Sequence, residues 1–135
     1  MGAWNYAVFD DDTAYDALDD LRASSEINTD MERYFDEVIQ AGYVGYDEGH
    51  YALVSAAVID SVINDIHHRC DEEDYFEWTK SLKQLDFSSL KQKAVMAIDA
   101  VLSRDSELKE LWEENEELYG LWREDKLTIQ ARLRQ

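Results

Sequence analysis

Residues 52–66 would place apolar side chains nearly all round a helix: Ala52, Leu53, Val54, Ala56, Ala57, Val58, Ile59, Val62, Ile63 and Ile66. A helix of that kind has no broad polar stripe to give to water, so neighbours must cover it. Small residues at Ser55, Ala56 and Ala57 let one neighbour come close. The apolar run over residues 51–59 is far too short to span a bilayer, so the covering has to be protein. This one segment, beginning near Gly49, predicts a central helix around which the rest of the chain is arranged.

The other segments look suited to that task. There is no proline and there are only five glycines in 135 residues, which leaves few breaks for a turn-rich β fold. Asp11 or Asp12 offers a helix cap, followed at helical spacing by Ala14, Ala17, Leu18 and Leu21, with Ser24 and Ser25 as the stop. Thr29 and Glu32 form a capping-box pattern for a second helix with Met31, Tyr34, Phe35, Val38 and Ile39 on one face. Tyr75, Phe76, Trp78, Leu82 and Leu85 suggest a short helix or packed loop. Ser88 or Ser89 would cap a helix bearing Leu90, Ala94, Val95, Ile98, Val101 and Leu102. A last, long helix opens at Asp105 or Ser106 and carries Leu108, Leu111, Trp112, Leu118, Tyr119, Trp122, Ile129 and Leu133, with Asn115 as a polar break and a possible kink at Gly120. The expectation is an all-α fold: a compact single domain over residues 1–135, a bundle of five to six helices with a packed N-terminal arm. Trp4, Tyr6, Val8 and Phe9 make that arm costly to leave in water. The four tryptophans, Trp4, Trp78, Trp112 and Trp122, are read as core.

Met1-Gly2-Ala3-Trp4, then Phe9-Asp10-Asp11-Asp12-Thr13-Ala14-Tyr15-Asp16, resembles the opening of a bacterial family, domain-of-unknown-function family 4259. Ser55-Ala56-Ala57, the run from Ser106 to Trp112, and Trp122 extend the resemblance over nearly the whole length, and Asn5 stands where the family usually has Gly. The resemblance implies a bacterial, cytoplasmic, helical domain. It brings no catalytic residues with it.

Chemistry is sparse. Cys70 is the single cysteine, which fits a reducing compartment and excludes an internal disulfide. No Lys or Arg precedes Arg22, so no secretory signal is expected, and Tyr6 stands where a myristoylation motif on Gly2 wants Ser or Thr. His67, His68 and Cys70 cluster, but a structural zinc site usually asks for more than one cysteine. Asp60, Asn64 and His68 are read as the solvent stripe of the central helix, and His50 as a polar residue at its boundary. Asp10, Asp11 and Asp12 lack the register of a calcium loop and are read as helix capping. Four acids follow Cys70 and would raise its thiol pKa. The pattern predicts no enzyme, metal or cofactor.

Charge is the remaining signal. The net charge is −18, and residues 1–50 hold thirteen acids against Arg22 and Arg33. Such a field repels nucleic acid and anionic membranes and attracts basic proteins. The expected function is a binding protein, such as an immunity protein or other antagonist that blocks a basic partner like a toxin nuclease. Its negative surface would be formed by Asp11, Asp16, Asp19, Asp20, Asp36 and Glu37. The alternative is a self-associating housekeeping module that pairs as a homo-oligomer through its Leu108–Trp122 face, with acidity serving solubility.

Overall fold

A computed structural model describes residues 3–135. Met1 and Gly2, which begin the N-terminal motif and the rejected myristoylation start, lie outside the described residues. Among the described residues, seven α-helices follow the arm: α1 (Asp12–Ala23), α2 (Ile27–Gln40), α3 (Tyr46–Asn64), α4 (Tyr75–Ser81), α5 (Lys91–Val101), α6 (Glu107–Glu113) and α7 (Tyr119–Leu133). The all-α reading holds; the count of five to six does not.

The extra helix comes from the C-terminal stretch, which is two helices rather than one. Asn115 makes the break, its Oδ1 accepting the Leu118 amide at 3.0 Å. Glu113, Glu114, Glu116 and Glu117 crowd four like charges into about one turn, which a continuous helix would have to hold together. The break also lets Trp112 and Trp122 stack, with centroids 5.9 Å apart and planes 12° from parallel. Gly120 lies inside α7 with open space around it and marks no break.

α3 is the central element, packed against α1, α2, α4, α5, α6 and α7. Residues 52–62 are buried without interruption. Its first turn lies earlier than the apolar run suggests, at Tyr46 behind Gly45. It ends at Asn64 because Asp65 turns left-handed at φ 54°, a conformation Asp tolerates, and Lys83 pairs with the Asp65 carboxylate at 2.5 Å. Close approach is made at Gly49 as well as at the small residues further along. A Cβ there would stand 2.7 Å from Leu108 Cδ1, a fully buried atom of α6. Gly49→Ala should therefore lose stability, by about 1–3 kcal/mol for overpacking, measured by urea denaturation.

α1 is capped by Asp11, which accepts the Thr13 amide at 2.7 Å, and it buries Ala14, Ala17, Leu18 and Leu21. The capping box on α2 is not used. The helix begins two residues ahead of Thr29 because Ile27 is drawn into the core, and Ser24 organises the entry by accepting the Glu26 amide and donating to Asp30.

The arm is a closed loop rather than an extended strand. The Trp4 amide donates to the Asp10 carbonyl at 2.9 Å, and the Asp10 amide to the Ala7 carbonyl at 3.1 Å. Asn5 accepts the Tyr6 amide on its own side chain. Phe9 is fully buried between Tyr15 and Tyr75. Trp4 is not core: half exposed, it lies flat against Tyr15. Trp78 is partly buried, and only Trp112 and Trp122 are core.

Asp60 corrects the sequence reading most sharply. It is no part of a solvent stripe but is completely buried. Arg132 of α7 grips it through Nε at 3.0 Å and Nη2 at 2.6 Å, and Asn64 donates to it at 2.9 Å. His68 lies beyond the helix end and reaches back to it at 3.1 Å. Burial alone would push the Asp60 carboxyl up, but His68, Arg132 and Asn64 outweigh it and bring it to about 2.

Candidate functional site

Three helices meet at the acidic end of the fold. α1 presents Asp16 and Asp20, α2 presents Glu37, and the first turns of α3 present Asp47 and Glu48, all exposed. Between them lies a groove of about 230 Å3 lined by Tyr34, Glu37, Asp47, Glu48 and Tyr51. The two phenol rings form its floor, edge to face with centroids 5.0 Å apart.

Helical spacing builds this arrangement. Asp16 and Asp20 are four apart on the side of α1 opposite Ala14, Ala17, Leu18 and Leu21, and so face outward together. Asp47 and Tyr51 are likewise four apart on α3. The Tyr51 hydroxyl donates to Asp20 at 2.6 Å, tying α3 to α1. Burial, that hydrogen bond and the negative charges of Asp20 and Asp16 push the Tyr51 phenol well above its usual range. The Tyr34 phenol is also raised, by burial first, with nearby Arg33 opposing.

Arg33 is the cation on this side of α2. Its guanidinium stands 4.7 Å over the Tyr34 ring and lies 3.5 Å from Asp30 and 3.6 Å from Glu37. Asp16, Asp20, Asp47 and Glu48 make no ion pair among the described residues. The groove thus combines aromatic faces with uncompensated carboxylates, which suits a cationic side chain.

Of the six acids expected to form the binding surface, Asp16, Asp20 and Glu37 come together here. Asp19 is exposed on the flank of α1 towards Arg22, which bridges α1 to Glu72 and Asp74. Asp36 is spent on Lys93 of α5 at 2.9 Å, with Glu32 on the same ammonium at 3.1 Å. Asp11 is not on the surface at all. It is 2% exposed, and besides capping α1 it accepts the Tyr46 hydroxyl and faces His50. Burial would raise its carboxyl, but His50, Tyr46 and the Thr13 amide hold it at about 2. Asp10 is buried as well, paired with Arg69 and bonded to the Ala7 amide.

Tyr34, Asp47, Glu48 and Tyr51 are the site residues that sequence reading missed. The tyrosines sat inside apolar patterns and were absorbed into the core. Starting α3 near Gly49 left Asp47 and Glu48 outside the helix, so their alignment with Tyr51 went unseen. A start at Tyr46 was the available signal.

The remaining candidates make packing and pairing contacts. Cys70 is partly buried, and burial pushes its thiol up. The His67 ring lies against Phe76, and His68 is spent on Asp60. The Leu108–Trp122 face proposed for self-association is consumed inside the molecule, with Leu108, Trp112 and Trp122 all buried. Among the described residues, no helix is long and apolar enough to cross a membrane.

Comparison with known proteins places the chain without describing its activity. The profile of the family Domain of unknown function (DUF4259) matches residues 2–125, and the chain belongs to that family. Searches of curated proteins and of solved structures returned no match.

Proposed function

We propose that the chain is a non-enzymatic, cytoplasmic binding protein that takes a basic protein partner on the face formed by α1, α2 and the start of α3. The observation that carries this reading is the tyrosine-floored groove lined by Glu37, Asp47 and Glu48, with Asp20 bonded to the Tyr51 hydroxyl and Asp16 near it on α1. Four of these five carboxylates lack an ion-pair partner among the described residues. A Lys or Arg side chain entering the groove would meet opposite charge at the rim and aromatic faces beneath. A cation on an aromatic face contributes about 0.5–1 kcal/mol where water still reaches it and more when desolvated.

The long-range field acts before contact. Charge of one sign gathered on one face raises the encounter rate with an oppositely charged partner and orients it, an effect that weakens as salt rises. An antagonist that blocks a basic active site, as an immunity protein blocks a nuclease, needs both properties. The raised thiol of Cys70 and the engagement of His68 with Asp60 fit a binding role better than a nucleophilic one.

Titration of 15N-labelled protein with a lysine-rich peptide tests the face. Amide shifts should cluster around Asp16, Asp20, Tyr34, Glu37, Asp47 and Tyr51 and collapse in the triple variant Asp16→Lys, Asp20→Lys, Glu37→Lys. Shifts spread evenly over the acidic surface, or unchanged in the variant, would reject it.

A further inference from the structure

We infer that the N-terminal arm closes over a built hydration site, where one water molecule joins the arm to α3 and α7 through His50, Asp11 and Lys126. His50 is not the boundary residue its sequence position suggests. It is 6% exposed, and neither ring nitrogen has a hydrogen-bond partner among the described residues. Nε2 stands 3.4 Å from Asp11 Oδ2, near enough for attraction but outside hydrogen-bond geometry. Buried polar groups are nearly always satisfied, so an orphan nitrogen on this ring points to a polar occupant beside it.

The space is there. A small, partly open cavity of about 10 Å3 lies under the arm, bordered by His50, Asp11 and Lys126 and walled by Val8, Trp112 and Trp122. That is about the space one water molecule needs. The lining also supplies both hydrogen-bond roles. Lys126 Nζ uses two of its three protons on the Tyr6 carbonyl at 2.7 Å and Asp125 at 2.8 Å, leaving one. Each Asp11 oxygen takes one hydrogen bond, from Thr13 or Tyr46, and keeps a second lone pair.

Charge decides the occupant. A metal cation would meet the Lys126 ammonium and an anion the Asp11 carboxylate, whereas a neutral molecule that both donates and accepts suits both. Water satisfies size and polarity together.

Water-17O relaxation dispersion on wild type and His50→Phe, with a high-resolution crystal structure of the wild type, tests this. We expect the dispersion amplitude to fall by one long-lived water in the variant, and a density peak within hydrogen-bond distance of a His50 ring nitrogen. Equal amplitudes in a folded variant would overturn the inference. So would an empty cavity with His50 bonded directly to Asp11, or a peak with the anomalous signal of a metal. Should His50→Phe fail to fold, the wild-type density decides alone.

Discussion

Phe9→Ala should remove about 3–5 kcal/mol of stability, the range for truncating a large aromatic in a close-packed core. Small domains have a total stability of only about 5–15 kcal/mol, so the variant stands near the edge of folding. Phe9 is fully buried, with the Tyr75 ring 5.1 Å away edge-on and the Tyr15 ring at 6.0 Å. The arm is then part of the core rather than a strap laid over it. Trp4→Ala is the internal control: half exposed and stacked only on Tyr15, it should lose no more than about 0.5–1.5 kcal/mol beyond its modest burial. Urea denaturation of both variants gives the comparison. Equal losses would mean that the arm does not anchor through Phe9.

Asp60→Asn should cost about 3 kcal/mol at neutral pH, because it strips the charge that Arg132 and His68 both contact. Breaking a buried pair by removing one partner costs about 3–5 kcal/mol, and the partial exposure of Arg132 favours the lower end. The same residue gives the protein a signature in acid. Its carboxyl is depressed to about 2 in the folded state from an ordinary value of 3.8. A depressed carboxyl contributes stability that is complete above the unfolded pKa and is lost as pH falls towards the folded one. For Asp60 that window runs from about pH 4 to about pH 2, and the contribution is about 2 kcal/mol. Asp11, also held at about 2, loses a similar amount over the same window. Protonating the many surface acids relieves self-repulsion and works in the opposite direction, so the informative quantity is the difference between wild type and Asp60→Asn. That difference should shrink by about 2 kcal/mol between pH 5 and pH 2. A constant difference would show that the Asp60 charge is not what joins α3 to α7.

What the sequence revealed and what it hid divide along one physical line. The local patterns were legible: the Asp11 cap, the buried stripe of α1 and the all-round burial of α3 each follow from neighbours within a few residues. Features fixed by distant partners were not. Asp60 reads as a polar interruption of an apolar helix until Arg132, 72 residues away, is seen to neutralise it. Asp11 reads as a surface acid as well as a cap because Tyr46 and His50 are supplied by other elements. Pairing with cations consumed much of the acidity that the sequence assigned to the binding surface. The acidic end itself was legible as a charge excess in the first third. Its focus on a tyrosine groove was not, since the groove depends on Tyr34 and Tyr51 meeting edge to face across two helices.

Capture from lysate of the source organism, with wild type and the triple variant Asp16→Lys, Asp20→Lys, Glu37→Lys immobilised side by side, tests the proposed role most directly. We expect wild type to retain a basic protein that high salt releases, and the folded variant to lose it. Retention of the same protein by both would contradict the assignment of the binding face to α1, α2 and the start of α3.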